Sequence, residues 1–410
     1  MNGTPIANRT HITFFGRRNA GKSTLLNALV GQPVSVTSNE PGTTTDPVHK
    51  TMELLPLGPV LLTDTAGLDD VGELGALRVK KAYEELHRTN LAVIVMDVNA
   101  RSSDFEVTLM DRLRTQRIPF VFIVNKCDQI ALSKEKKEAL QAAFICPVVG
   151  VSAKTGEGIS SLREILATAI KPEEELGLTS GLIREGQTAI LVTPIDKAAP
   201  KGRLILPQQQ TIRDILERDA VAIVTKEQEL RFTLEGLRQK PAAVITDSQA
   251  FLKVAADTPN DIPMTSFSIL FARQKGNLEA MVRGVRRIAS LKPGERILIA
   301  EGCTHHRQSD DIGTVKIPRW IRQLAGNEIQ FDWTSGKDFP ENIERYAAIV
   351  HCGACMLNRR EMQYRIHYAN QHGVEITNYG MLIAYVHGIL ERALKPFPAA
   401  ALAYAQSKEN

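Results

Sequence analysis

The stretch His11-Ile12-Thr13-Phe14-Phe15-Gly16-Arg17-Arg18-Asn19-Ala20-Gly21-Lys22-Ser23-Thr24 decides the fold of the first part of this chain. An apolar run with strand character leads into G-x-x-x-x-G-K-S, and a helical pattern follows from Thr24 to Val30. In such a strand–loop–helix setting the glycines let backbone N–H groups turn inward, and the helix N-terminus adds positive potential, so the loop cradles phosphates. Lys22 is placed to reach the β- and γ-phosphates of a nucleotide, and the Ser23 hydroxyl to ligate Mg²⁺. Asn19, Ala20, Gly21 and Thr24 complete the phosphate-binding set.

Working outward from this loop, the rest of a nucleotide site follows in order. Pro41-Gly42-Thr43-Thr44-Thr45-Asp46 is polar, and Thr44 is the candidate to lay a hydroxyl on Mg²⁺. The strand Val60–Thr63 ends in Asp64-Thr65-Ala66-Gly67, where Asp64 holds Mg²⁺ through water and the Gly67 N–H faces the γ-phosphate. With Lys22, these two make the expected catalytic set. Leu91–Asp97 reads as another buried strand, and Phe120–Val124 leads into Asn125-Lys126-Cys127-Asp128. An aspartate after such a strand accepts paired N–H donors, which the guanine edge offers and adenine lacks. That favours GTP over ATP. Val148–Val151 runs into Ser152-Ala153-Lys154, a loop suited to backbone contact with the base oxygen.

Each later motif is weak alone, but five in order, each after a strand, are specific. Residues 11–170 resemble the small GTPases of the translation-factor class, in the group of the tRNA-modification (TrmE) and Era GTPases. Asn19 matches the asparagine that ligates K⁺ in potassium-activated members, so the resemblance implies K⁺-stimulated GTP hydrolysis. Leu68 stands where Ras-like proteins carry a water-orienting glutamine, and leucine has no polar group for that task. Another element must supply it.

The second informative stretch is His351-Cys352-Gly353-Ala354-Cys355, with Cys303-Thr304-His305 upstream. Arg296–Ala300 and Tyr346–Val350 read as buried strands running into these loops. In an open parallel sheet, loops at the carboxyl ends of neighbouring strands line one crevice, so Cys303, Cys352 and Cys355 can share one centre. Three thiolates suit a 4Fe-4S cluster with one iron lacking a cysteine; with a histidine they suit structural zinc, and spacing does not separate the two. Glu301, His305, His306 and His351 are candidates for a fourth ligand or for hydrogen-bonding neighbours, and a bare Cys352–Cys355 redox pair is a third possibility. Gly373–Thr377 reads as a third strand, and Phe267–Phe271 opens this last domain, ahead of a basic helix whose Arg283, Arg286 and Arg287 read as a solvated face.

Between these parts, Lys171-Pro172-Glu173-Glu174-Glu175 reads as a linker. Strands recur at 188–192, 220–224 and 242–245, with helical patterns between them. No nucleophile–base pair is visible there, and a sheet this small exposes an edge, so dimerisation is the preferred role. The expected architecture is α/β in three domains. A P-loop small-GTPase fold occupies residues 1–170, a small α/β dimerisation domain 177–262, and a Rossmann-like parallel-sheet cluster-binding domain 265–410.

Composition bounds the partners. The chain has 410 residues, 43% hydrophobic, and a net charge of +4 from 50 basic and 46 acidic side chains. That small excess predicts neither a nucleic-acid nor a membrane partner. No apolar run approaches the roughly 20 residues of a membrane span, and Met1–Thr10 lacks the apolar core of a signal peptide. Five cysteines, two of them (Cys127 and Cys146) within the nucleotide-binding part, argue against a secreted disulfide framework and for the cytoplasm.

Taken together, a potassium-type GTPase domain, a middle α/β domain and the Cys-x-His … His-Cys-x-x-Cys domain resemble the HydF family of FeFe-hydrogenase maturation GTPases over essentially the whole chain. The resemblance implies a 4Fe-4S cluster on Cys303, Cys352 and Cys355, with His305 and His351 matching the family pattern. It implies a homodimer that receives a di-iron precursor from two radical-SAM maturases and delivers it to the FeFe-hydrogenase apoprotein. The competing function is an RNA- or ribosome-associated GTPase with a structural zinc site, which a salt-sensitive interaction with tRNA would favour.

Overall fold

Strand β1 (Thr10–Gly16) is buried on both faces, as a central strand of a parallel sheet must be. Its alternate side chains serve two cores. Ile12 and Phe14 pack with Leu25, Leu26 and Leu29 of the helix Lys22–Val30, and Phe15 packs on the other face with Leu86, Leu109 and Leu113. The computed structural model describes residues 4–31, 47–69, 72–100, 104–170, 176–195, 204–302, 311–336 and 338–406. Expected features at Thr44, Lys171–Glu175, Cys303, His305 and His306 lie outside the described residues.

The chain divides into two compact units, Met1–Glu173 and Glu174–Asn410. In the first, β1 is joined by β2 (Val48–Leu54), β3 (Gly58–Asp64), β4 (Leu91–Asp97), β5 (Phe120–Asn125) and β6 (Val148–Gly150). The order is β2-β3-β1-β4-β5-β6, with only β2 antiparallel. Parallel strands deliver their carboxyl ends to one edge, which gathers Gly16, Asp64, Asp97 and Asn125. The edge strand β2, with its polar sequence VHKTMEL, carries no strand signal of its own.

The second unit holds two four-stranded parallel sheets. One comprises β7 (Thr188–Val192), β8 (Val221–Thr225), β9 (Ala243–Thr246) and β10 (Met264–Ser266), in the order β10-β9-β7-β8. The other comprises β11 (Arg296–Glu301), β12 (Gln330–Ser335), β13 (Ala348–His351) and β14 (Glu375–Asn378), in the order β12-β11-β13-β14. In each, the first strand in sequence lies between the second and the third, so the two sheets share one topology.

The likeness extends to the sequence at the fourth strand. Thr265-Ser266-Phe267-Ser268-Ile269-Leu270-Phe271-Ala272 and Thr377-Asn378-Tyr379-Gly380-Met381-Leu382-Ile383-Ala384 hold equivalent places. Ser266 and Asn378 each end their strand and cap the next helix, accepting the backbone N–H of Ile269 and Met381. The two helices, Phe267–Lys275 and Tyr379–Val386, meet at Ser268 and Gly380. A Cβ at Gly380 would lie 2.3 Å from the Ser268 Cβ, and Asn378 Nδ2 donates to Ser268 O at 3.0 Å. One continuous core, including Ile190, Ile245, Leu270, Ile349 and Met381, serves both sheets, and Ile297, Ile299, Ile321 and Val350 fill the far face of the second.

Phe267–Phe271 therefore lies in a helix that follows β10, and the middle sheet extends past residue 262 to Ser266. An apolar run buried on most sides has no periodicity to separate helix from strand, and a three-residue strand leaves little signal.

Candidate functional site

The phosphate loop occupies the turn from β1 to the helix Lys22–Val30. Gly21 caps that helix with φ 89°, and a Cβ there would lie 2.3 Å from Asn125 Nδ2, so only glycine fits. Asn19 also adopts positive φ, at 60°. Lys22 is buried, and its ammonium donates to Gly16 O at 3.0 Å and Arg17 O at 2.9 Å. Ser23 Oγ donates to Asp64 Oδ2 at 2.5 Å. The other carboxylate oxygen of Asp64 is buried without a hydrogen-bond partner. Burial raises the Asp64 pKa, while Ser23 and the Lys22 charge oppose that shift. A hydroxyl beside an orphaned carboxylate oxygen is a hard-oxygen donor set that fits Mg²⁺.

The segment after β3 packs onto the loop backbone. A Cβ at Gly67 would stand 2.7 Å from Arg18 N, so the close approach requires glycine. Leu68 is buried in the core cluster that holds Phe15 and Leu86. Asp69 takes the polar contact instead, its Oδ1 accepting the Arg18 backbone N–H at 2.6 Å. Arg17 makes a two-pronged pair with the buried Glu106, at 3.0 Å for both bonds. Neither Asp69 nor Glu106 was marked by any motif, because their partners lie 51 and 89 residues away.

At the base end, Asn125 ties two loops together. Its Nδ2 donates to Ala20 O at 3.0 Å, and its Oδ1 accepts the Ala153 N–H at 3.1 Å. Asp128 Oδ1 accepts from Ser152 Oγ at 2.7 Å, which aims the carboxylate. Lys126, at φ 66°, pairs with Asp97 at 2.7 Å. Thr24 and Lys154 are exposed beside these loops. The fold thus brings together the loops that carry Asn19, Ala20, Gly21, Lys22, Ser23, Asp64, Gly67, Asn125, Asp128, Ser152 and Ala153.

The cysteine site lies in the second unit, at the point where strand order reverses. β11 pairs with β13, with Ala300 opposite His351. The carboxyl ends of the two strands therefore lie side by side. Gly302, the residue before Cys303, donates its N–H to Cys352 Sγ at 3.0 Å, and Ala354 N–H points to the same sulfur at 3.5 Å. Burial pushes the Cys352 thiol up to about 11 and raises Cys355 as well. Among the described residues no three His, Cys, Asp or Glu side chains converge on one point. Two half-buried thiols on one turn, with backbone N–H donors aimed at one sulfur, are the chemistry of a soft-metal or cluster site.

His351 was a candidate ligand by sequence, and its geometry points elsewhere. The ring is fully buried; Nδ1 bonds Cys352 O at 2.9 Å and Nε2 faces Arg365 Nη1 at 3.0 Å. A carbonyl only accepts and a guanidinium only donates, so the neutral Nδ1–H tautomer satisfies both and leaves neither nitrogen for a metal. Burial, with the Arg365 charge adding, pushes its pKa down to about 3. Arg365 also donates to Glu361 at 2.8 Å and Gly336 O at 3.1 Å, which makes a buried polar support under the loop. Glu301 is buried at the end of β11 and accepts from Tyr379 Oη at 3.2 Å.

Comparison with known proteins places both halves. The model of the hydrogen maturase F dimerization domain matches residues 178–276, and that of the hydrogen maturase F tetramerization domain matches residues 279–396. The chain belongs to the hydrogen maturase F family. A third model, described as a 50S ribosome-binding GTPase, matches residues 11–126, completing the family's order of a GTPase domain followed by two further domains. Among curated proteins, the tRNA modification GTPase MnmE of Chlorobium chlorochromatii (strain CaD3) is 30% identical over 239 residues, covering 57% of this chain and 48% of that protein. MnmE of Legionella pneumophila (strain Paris) is 35% identical over 159 residues, covering 38% of this chain and 33% of that protein. The chain thus spans half or less of the length of these relatives. A solved Era structure from Aquifex aeolicus is 18% identical, with TM-score 0.35, covering 52% of this chain and 91% of that one. Among the described residues no helix is long and apolar enough to cross a membrane.

Proposed function

We propose that this hydrogen maturase F family member is a GTP-hydrolysing scaffold that assembles the di-iron subcluster of FeFe-hydrogenase and carries it to the apoprotein. The observation that carries this reading is the cysteine loop at the sheet's switch point, within the residues that match the hydrogen maturase F tetramerization domain. Cys352 and Cys355, with Cys303 following Gly302, would hold a 4Fe-4S cluster. When bound, that cluster supplies one iron without a cysteine ligand, to which the di-iron cargo can attach. The Gly302 and Ala354 N–H groups stabilise thiolate charge at Cys352, and the Arg365–His351 pair fixes the turn from below. The cargo would come from two radical-SAM maturases.

In the nucleotide site, Lys22 and the loop N–H groups hold the phosphates, and Asp128 reads guanine. Ser23, Asp64 and Thr44 would hold Mg²⁺, which neutralises phosphate charge, and Asn19 would hold K⁺. With Leu68 buried, Asp69 is a polar group of that segment beside the phosphate loop. Faster GTP hydrolysis in KCl than in NaCl is the expected result; equal rates would remove K⁺ from the site. Loss of maturation in Lys22→Ala would tie the nucleotide to delivery, and full maturation would sever that link.

The same proposal includes a homodimer through the middle sheet, in a cytoplasmic setting. Its edge strand β8 exposes Val221 and Val224, and Phe232 on the next helix is 81% exposed. An unpaired edge bearing apolar side chains is suited to a second copy. The deciding experiment is metal and sulfide analysis with EPR on anaerobically purified protein and on Cys303→Ser. About four irons and four sulfides per chain, with a signal disturbed in the variant, support the scaffold. One zinc and no sulfide would replace it with an RNA-associated GTPase.

A further inference from the structure

Lys275 ends the helix Phe267–Lys275, which follows the last strand of the middle sheet. Its ammonium lies in the cysteine loop of the other sheet. Nζ donates to Ala354 O at 3.1 Å, Cys355 O at 3.3 Å and Leu357 O at 2.8 Å. The residue is only 5% exposed, and its Nζ lies 5.3 Å from the Phe271 ring centre. An ammonium has three N–H donors, and three carbonyls of one turn stand within reach. Burying such a charge is costly unless its surroundings are negative.

The turn it holds is a strained one. Ala354 adopts φ 52°, a left-handed conformation disfavoured for any residue with a Cβ. Such a conformation persists only where neighbours hold it. In the equivalent turn of the middle sheet the Asp247 side chain accepts the Gln249 N–H, as Cys352 Sγ accepts that of Ala354.

We propose that Lys275 is a positioning residue for the Cys352–Cys355 loop and a fixed positive charge beside the cluster held there. The middle domain thereby contributes a side chain to the cluster site. This rests on the cluster reading above. A buried cation stabilises the more negative, reduced form of a thiolate-ligated cluster, and so raises its potential. It also draws the turn's carbonyls together before any metal arrives.

The test uses the full chain with Lys275→Met, Lys275→Gln and Lys275→Arg. Hydrogen exchange is followed for residues 352–358 in chelator-treated, cluster-free protein. The midpoint potential is measured by EPR-monitored titration after reconstitution. Lys275→Met is expected to speed exchange in the loop by about tenfold or more and to move the potential to more negative values. Lys275→Gln, which keeps N–H donors without charge, moves the potential as far with a smaller gain in exchange. Lys275→Arg stays near wild type in both. If Lys275→Met does not fold, the Gln and Arg variants carry the comparison. A wild-type potential in the neutral variants, or unchanged loop exchange, overturns the proposal. If even the wild type takes up no iron and sulfide, the cluster reading fails, while the exchange measurement on cluster-free protein still decides whether Lys275 positions the loop.

Discussion

The two four-stranded sheets of the second unit have one strand order and matching capped helices, yet only one carries cysteines. At the position of His351 the middle sheet has Thr246, and at that of Cys352 it has Asp247. The framework is shared; the cysteines follow the first and third strands of the second sheet in sequence. Beneath the cysteine turn the difference continues. Both turns accept their own second-following N–H, at Asp247 Oδ1 and at Cys352 Sγ, and the cysteine turn rests in addition on Arg365, His351 and Lys275.

Breaking that support tests the comparison most strongly. Arg365→Met removes an ion pair from the buried Glu361 and takes the donor from His351 Nε2. Urea unfolding of the second unit should show a loss of about 3–5 kcal/mol. Next comes the meeting of the two helices. Gly380→Ala drives a methyl into Ser268 and should cost about 1–3 kcal/mol. Pairing it with Ser268→Gly removes the clashing atom, and the double variant should recover most of the loss. Failure to recover would mean that the helices do not meet there. At the middle-sheet counterpart of His351, Thr246→Val removes one contact, Oγ1 to Asp247 O at 3.2 Å, and should cost only about 1 kcal/mol. A cost as large as that of Arg365→Met would erase the contrast between the sheets. The smallest effect is expected at the surface proposed for the dimer. Phe232→Ser should leave protomer stability within about 0.5 kcal/mol while shifting the dimer toward monomer in analytical ultracentrifugation.

The nucleotide site was legible because each part is a short local pattern. G-x-x-x-x-G-K-S, Asp64–Gly67, Asn125–Asp128 and Ser152–Lys154 each follow a strand, and parallel strands bring their ends together. The strands that lead to the cysteines were legible for the same reason, since Arg296–Ala300 and Tyr346–Val350 read as neighbouring strands and β11 pairs with β13. The residues that hold these loops were not legible. Lys275 lies 79 residues from Ala354, and Glu106 lies 89 from Arg17. The likeness of the two sheets was hidden too, because their matching sequence amounts to one strand end and its helix. Strands β2 and β12 escaped notice because edge strands with polar faces carry little alternation.

The sequence by itself marked the segments to which phosphate, guanine and thiolate chemistry is assigned, because those tasks require particular residues at fixed local spacing. Tertiary structure alone decided how that chemistry is supported. It turned Leu68 into the core and brought Asp69 to the loop. It engaged both nitrogens of His351, and it carried Lys275 from one sheet into the cysteine turn of the other. Local geometry follows from a few neighbouring dihedrals, whereas the partner of a buried charge is chosen only when distant segments pack and desolvate it.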